Sequence, residues 1–333
     1  MREVADGVFL VTVPTPFPVG PVNCYILDGH PLTLIDCGPR YPPAINELRA
    51  ALDELGHDFL EVQQILLTHG HIDHAGLAGF IAAGGRDAGP ENTPVYIHSE
   101  DLRRVANHQR YIRGRMQAYI DIAVRSGAPE AIVAAMKQDS LAEYFAALGE
   151  SVPHAVALAD GNKVSSPIGP LKVVWTPGHT RGCVCYAADE QHVLFTGDHV
   201  LLDISSNPSL DFEGPGISLL TYLDSLRRIL TYDGYLVLPG HREPIQDLAK
   251  RVEELRADIE DKLDRLRDAL GPAPTTMYDL SRILYGNYGL NQLVLALAET
   301  TDLARVLEQQ GVARLVETEE HPGVICAMLN TKG

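Results

Sequence analysis

Apolar positions cluster into three short runs at the start of the chain, residues 8–13, 23–27 and 32–35, divided by Pro and Gly, and this predicts an antiparallel opening. Over 44–55 the period changes. Ile45, Leu48, Leu52 and Leu55 fall on one stripe, so a helix should lie on that first sheet. Ile65-Leu66-Leu67 reads as a buried strand, 75–83 as a short helix closed by Gly84-Gly85, and 95–98 as a further strand. Residues 99–149 break this β/α alternation with a long helical pattern whose apolar positions include Tyr111, Ile112, Met116, Tyr119, Ile120, Ile132, Val133 and Met136. Strands return at 171–175, 184–187, 193–195 and 235–238, with a helix over 219–230.

From Pro244 onward Ile245, Leu248, Val252, Leu255, Ile259, Leu263, Leu266 and Leu270 recur every three or four residues, which predicts one long helix with a single apolar seam. Gly271-Pro272-Ala273-Pro274 ends it. Beyond lie two helical patterns, 277–284 and 290–309, and two strands, 312–316 and 324–329, around His321-Pro322-Gly323. Helix, helix and hairpin predict a winged-helix-like unit. The expected division is a catalytic domain over 1–244, a connecting helix over 245–272 and a C-terminal unit over 273–333.

A chain of 333 residues, 45% apolar with mean hydropathy −0.03, suits a globular protein of two units. Its 44 acidic against 27 basic residues give a net charge of −17, a field that repels polyanions, so nucleic acid is a disfavoured partner. Glu3 and Asp6 stand where a signal peptide needs a basic and then an apolar run, and no apolar run approaches membrane-spanning length. The expectation is a cytoplasmic protein without a membrane partner. Cys24, Cys37, Cys183, Cys185 and Cys326 are odd in number and scattered through apolar segments, as buried free thiols are. Cys183-x-Cys185 lacks the two-residue gap of a zinc knuckle and reads as core packing.

The candidate chemistry is concentrated in Thr68-His69-Gly70-His71-Ile72-Asp73-His74, at the end of the strand predicted at Ile65-Leu66-Leu67. Imidazole and carboxylate are the ligands that hold zinc and related divalent ions. One helix face would use positions i and i+4; here His69 and His71 are two apart with Asp73 and His74 behind them, which predicts two neighbouring metals on a loop. An apolar strand, a Gly-bearing turn and a potential ligand recur at Thr176-Pro177-Gly178-His179, Thr196-Gly197-Asp198-His199 and Pro239-Gly240-His241-Arg242. Such strand ends can converge on one sheet edge. Asp36, closing the third strand, reads equally as a turn residue or as a carboxylate that orients a metal ligand.

These motifs resemble the metallo-β-lactamase superfamily, in the branch of metallohydrolases with a C-terminal winged-helix-like domain. The resemblance covers roughly 1–98 and 151–333, with 99–149 a helical insertion. It implies an α/β fold, the four-layer αββα sandwich, with metals at one edge. It also implies that His69, His71 and His179 hold one ion and Asp73, His74 and His241 a second, that Asp198 bridges them, and that Asp36 supports the site. Two divalent ions are expected, zinc first, although manganese and iron accept the same ligands. True zinc β-lactamases lack a bridging aspartate at the Asp198 position and flavo-di-iron enzymes carry glutamate at the His71 position, so neither subgroup fits. Glyoxalase-II-like thioesterases and endoribonuclease-like members both keep that aspartate.

A binuclear hydrolase is therefore expected, in which a metal-held water with a pKa near ~7 is the nucleophile and Asp73 helps orient it. A small-molecule ester or thioester is favoured over a phosphodiester on charge. Residues 273–333 hold Arg282, Arg305, Arg314 and Lys332 against Asp279, Glu299, Asp302, Glu308, Glu317, Glu319 and Glu320, the wrong sign for phosphate. The long helix carries Arg256-Ala257-Asp258-Ile259-Glu260 where the branch has a histidine, so the tail is expected to serve interaction or homodimerisation. Arg103, Arg104, Arg110, Arg113 and Arg115 are a local exception and read as a solvated helix face. The alternatives are a phosphodiesterase or endoribonuclease and, from a different class, a non-catalytic metal-bound interaction protein, against which the intact ligand set weighs. The insertion, read as a lid or a subunit contact, and the loop 205–209 are expected to control access and set substrate size.

Overall fold

In the computed structural model, which describes residues 1–86, 93–137, 139–209, 216–319 and 322–330, the opening runs pair as their pattern predicts. Strands β1 (Arg2–Ala5), β2 (Val8–Val13), β3 (Val22–Leu27), β4 (Thr33–Ile35), β5 (Gln64–Leu66), β6 (Val95–His98) and β7 (Val156–Leu158) lie side by side in that order. The first four are antiparallel and the last four parallel. A second sheet has the order β12-β11-β10-β9-β8, from β8 (Lys163–Val164), β9 (Leu171–Trp175), β10 (Val184–Ala188), β11 (Val193–Gly197) and β12 (Leu236–Pro239). The solvated edge strand β1 carries no apolar alternation and was not visible in the pattern.

Strand β3 is buried along its whole length because both faces are covered, so its apolar run is continuous. Cys24 and Ile26 face the helix Pro42–Glu54, while Tyr25 and Leu27 meet Val173, Tyr186 and Phe195 of the second sheet. That sheet's other face is covered by helices Ser218–Ile229 and Leu248–Ala269. The layers are αββα, as expected.

The strand directions place the site. β4 and β5 are parallel, as are β11 and β12, and β9 runs with β11 because both are antiparallel to β10. The segments leaving β4, β5, β9, β11 and β12 therefore emerge at one edge. There Asn23 donates to the carbonyls of Pro239 (3.0 Å) and Arg242 (2.7 Å), and Tyr25 to that of Pro239 (2.7 Å), so the first sheet holds the His241 turn of the second. Tyr186 returns the tie, donating to the Leu67 carbonyl at 2.9 Å.

Two predicted boundaries move. The long helix starts at Leu248, because Ile245 instead pairs with Val237 as an antiparallel bridge and Asp247 caps the helix by accepting from the Lys250 amide at 2.8 Å. The predicted 75–83 helix is two short ones, Ile72–Ala75 and Ala78–Ala82, so Asp73 and His74 sit on a helical turn rather than a loop.

The insertion forms helices Leu102–Ala106, His108–Arg125, Glu130–Met136 and Asp139–Ala147. The C-terminal segment forms helices Met277–Tyr285 and Leu290–Gln309 and a small sheet of β13 (Thr275–Thr276), β14 (Ala313–Val316) and β15 (Cys326–Leu329). His321, in the predicted turn, lies outside the described residues. These two parts share a core in which Ala123, Val133 and Met136 meet Leu293 and Leu297. The five cysteines are free and buried. No helix among the described residues is long and apolar enough to cross a membrane.

Leu297 is fully buried where the insertion meets the C-terminal helix. Leu297→Ala should cost about 2–5 kcal/mol. Chemical denaturation measures the loss, and hydrogen exchange should show the first extra opening in His108–Arg125.

Candidate metal centre

The His69–His74 stretch leaves β5 and turns directly into the helix Ile72–Ala75, so four donors leave the backbone within six residues. His179 comes from the turn after β9, Asp198 from the end of β11 and His241 from the end of β12. The structure brings all seven together. Donor atoms lie within 4.8 Å of one another in each of three overlapping groups: His69, His71 and His179; His69, His74 and Asp198; Asp73, His74 and His241. His71 Nδ1 is 2.9 Å from His179 Nε2, and His241 Nε2 is 3.5 Å from both Asp73 Oδ2 and Asp198 Oδ2. Asp198 spans the groups, with Oδ1 3.3 Å from His74 Nε2 and Oδ2 3.7 Å from His179 Nε2. Gly240 is required here, because a Cβ would come within 2.6 Å of His74 Cε1.

Asp36 is a supporting residue and not a plain turn. At φ 56°, a backbone state L-residues rarely adopt, it is almost fully buried. Its Oδ1 accepts from the Thr68 amide (2.8 Å), and its Oδ2 accepts from the Thr68 hydroxyl (2.7 Å) and His74 Nδ1 (2.8 Å). With its proton given to Asp36, the Thr68 oxygen accepts from His69 Nδ1 at 3.1 Å. His179 Nδ1 donates to the Ser206 carbonyl at 2.5 Å and His241 Nδ1 to that of Pro21 at 2.7 Å. Four imidazoles thus have Nδ1 committed to a fixed acceptor, which turns each Nε2 inward.

The inward atoms of His69 Nε2, His74 Nε2, His241 Nε2 and Asp198 Oδ1 are buried without a hydrogen bond. Each such atom costs about 1–3 kcal/mol when left alone, and a cation at their centre satisfies all of them at once. The donor set fits divalent metal.

Electrostatically the cluster is in two halves. Burial and then the neighbouring imidazoles push His69 and His71 well below the usual histidine range, and burial also lowers His179 against the pull of Asp198. Burial acts the same way on His74 and His241 but is outweighed by carboxylates. Asp198, Asp36 and Asp73 lift His74 well above the range, and Asp198 and Asp73 raise His241 to about 10. Against the opposing effect of burial, His241 and His74 hold Asp198, and His74 and His241 hold Asp73, below the ordinary carboxylate value.

A cavity of about 390 Å3 opens over these donors, with His71, Asp73, His179, Asp198 and His241 in its wall. The insertion supplies Ile112, Arg115, Met116, Tyr119 and Phe145; the loop before β3 supplies Phe17 and Val19; the segment after Asp198 supplies Leu201, Ile204, Ser205, Ser206 and Asn207. Phe17 and Phe145 stack at 5.9 Å across it. Arg251 of the long helix holds the floor by donating to the carbonyls of Leu201 (2.6 Å) and Ile204 (3.0 Å). The insertion and residues 205–207 therefore both line the approach to the donors. Leu295, from the C-terminal helix, also lines the cavity, which no local pattern signalled.

The match to the family model described as "Metallo-beta-lactamase superfamily" spans residues 17–241, and the chain belongs to that superfamily. It is 28% identical over 312 residues to the "Probable metallo-hydrolase YqjP" of Bacillus subtilis, covering 92% of this chain and 93% of that protein. The structure of the metallo-beta-lactamase family protein TTHA1429 from Thermus thermophilus superposes with a TM-score of 0.82 at 28% identity, over 98% of this chain and 100% of that one. A shorter similarity, 30% identity over 122 residues, links 35% of this chain to 34% of the "Atrochrysone carboxyl ACP thioesterase" of Aspergillus fumigatus. The protein is a metallo-hydrolase of this superfamily.

Asp101 was missed by sequence reasoning because most of its partners lie in two other segments. Fully buried, it accepts from the Gly70 amide (2.9 Å), the Thr180 hydroxyl (2.7 Å) and the Gly182 amide (3.0 Å), and pairs with buried Arg104 at 3.1 Å. It ties the His69–His71 turn to the His179 turn. Asp101→Ala removes three hydrogen bonds and one ionic partner of the buried Arg104 guanidinium and should cost about 3–5 kcal/mol in the metal-free protein, read by chemical denaturation.

Proposed function

We propose that the protein is a binuclear, zinc-dependent hydrolase of ester or thioester bonds. In this reading His69, His71 and His179 hold one ion, Asp73, His74 and His241 the other, and Asp198 lies between them, with Asp36 fixing His74 and Thr68. The observation that carries the substrate class is the apolar cavity directly over the donors, a shape and chemistry suited to an acyl group. Bound ions would polarise the carbonyl and bring the pKa of water to about 7. Asp73 is half-buried, lines the cavity and is held ionised by His74 and His241, so its carboxylate can orient a water and accept its proton. The apolar walls exclude bulk water from the reacting carbonyl.

The similarity to a protein named as a thioesterase supports this order of substrates. The net charge of −17 and the acid excess of residues 273–333 weigh against the endoribonuclease reading. In our reading residues 273–333 form a winged-helix-like unit that contributes Leu295 to the substrate wall.

Metal analysis of the purified protein should give two ions per chain, and His71→Ala should lose metal together with activity, the latter on the order of 10²–10³-fold. Assays run side by side should show metal-dependent cleavage of S-acyl thioesters and none of single-stranded RNA; RNA cleavage without thioesterase activity overturns the proposal.

Acid should empty the two halves in order. A histidine with a raised pKa keeps its proton to higher pH and so competes with metal sooner as pH falls, whereas a lowered pKa leaves the imidazole free to bind. The half built on His74 and His241 should therefore lose its ion first as pH falls from about 10. Metal content after equilibrium dialysis along that descent checks the order.

A further inference from the structure

Arg242 directly follows the ligand His241 and holds φ 68°, a state that L-residues rarely adopt and that persists only where the surroundings fix it. Its carbonyl accepts from Asn23 Nδ2 at 2.7 Å. Its half-buried side chain reaches two other segments at once, Nη1 donating to the Val19 carbonyl at 3.0 Å and Nε to Asp203 Oδ1 at 3.2 Å. Val19 belongs to the loop before β3 and Asp203 to the segment after Asp198. Both segments supply cavity wall, the first through Phe17 and Val19, the second through Leu201 and Ile204. The loop is closed within itself, since the Gly20 amide donates to the Phe17 carbonyl at 3.1 Å and the Thr15 hydroxyl to the Gly20 carbonyl at 2.6 Å. A loop closed in this way shifts as one piece, so its place depends on its ties to the second sheet: Arg242 Nη1 at Val19 and His241 Nδ1 at the Pro21 carbonyl, 2.7 Å.

Resting on the ester or thioester reading above, we propose that Arg242 is a positioning residue for the substrate: it fixes both wall segments in place relative to the metal ligand beside it, and so sets a preference for long apolar acyl groups. Arg242 is not among the residues that line the cavity, so it acts through those it holds. A guanidinium is a planar fork whose donors keep a fixed spacing, and one such side chain sets the Val19 carbonyl against the Asp203 carboxylate; an ammonium is a single point and holds one of them. Asp203 is exposed, so the ion pair adds little stability and its consequence is geometric. That consequence is greatest for an acyl chain long enough to touch Phe17, Val19, Leu201 or Ile204 and least for acetyl, which ends one carbon beyond the carbonyl. Each methylene seated against an apolar wall is worth about fourfold in binding, so a wall withdrawn from one methylene loses about that factor.

The test is the ratio of kcat/KM for hexanoyl and acetyl thioesters of one thiol, N-acetylcysteamine, with metal content measured on each variant. The native protein should prefer hexanoyl about tenfold or more, and Arg242→Ala should lower the ratio about fourfold or more, through the hexanoyl KM. Arg242→Lys should fall between the two. Asp203→Ala, at an exposed position, removes one arm of the bridge and should lower the ratio in the same direction, which keeps the test available if Arg242→Ala does not fold. Phe17→Ala should lower the ratio by itself, and adding Arg242→Ala to it should lower the ratio little further, because both act on the same wall. No hexanoyl preference in the native protein, a ratio untouched in the folded Arg242 and Asp203 variants, or full additivity with Phe17→Ala overturns the proposal. Loss of metal with an unchanged ratio places the role of Arg242 at His241 alone and overturns it as well. Absence of all ester and thioester hydrolysis in the native protein overturns the parent reading, and this one with it.

Discussion

The site depends on one carboxylate held in an unusual backbone state. Asp36 sits at a positive φ, and this conformation lets both its oxygens face the strand beside it. Through Oδ1 it holds the Thr68 amide; through Oδ2 it holds a hydroxyl and an imidazole at once. The hydroxyl in turn fixes the tautomer of His69. Two imidazoles from one turn are thereby oriented by a side chain from another strand, and a residue without a carboxylate there would leave both rings free to rotate or to protonate on the wrong nitrogen.

Around that point the fold works by clamping each ligand turn from the opposite sheet. Asn23 and Tyr25 of the first sheet hold the turn carrying His241, and Tyr186 of the second holds the backbone just before His69. Asp101 joins two turns in the same way at the outer side. The Nε2 atoms of His69, His74 and His241 are buried polar groups without a hydrogen-bond partner, and only rigid support on every side keeps them from turning toward one. The imbalance between the two halves follows from where the carboxylates lie, since Asp36, Asp73 and Asp198 all act on His74 while His69 and His71 chiefly feel other imidazoles.

Much of the arrangement was legible because strand ends are local features. An apolar run stopped by Gly and followed by His or Asp marks a side chain at a sheet edge, and parallel strands bring such ends together without any long-range information. What was not legible depends on contacts between distant segments. Ile245 fits a helical seam by spacing, yet the backbone of Val237 claims it first. Asp101 resembles any acidic residue at a helix start until the turns bearing Gly70 and Gly182 close on it. The helix at Ile72–Ala75 is too short for any period to show.

Leu295 gives the pocket an origin outside the catalytic sheets. It lies on the same helix as Leu293 and Leu297, which pack against the insertion, so one element both anchors the insertion and lines the cavity. Under the proposed function, selectivity would be encoded in two registers of the chain. The ligands are confined to the segment that the superfamily model matches, while the dimensions of what reaches them are written partly some fifty residues beyond its end. Drift in the C-terminal sequence can retune the spectrum of substrates while every metal-binding residue stays the same.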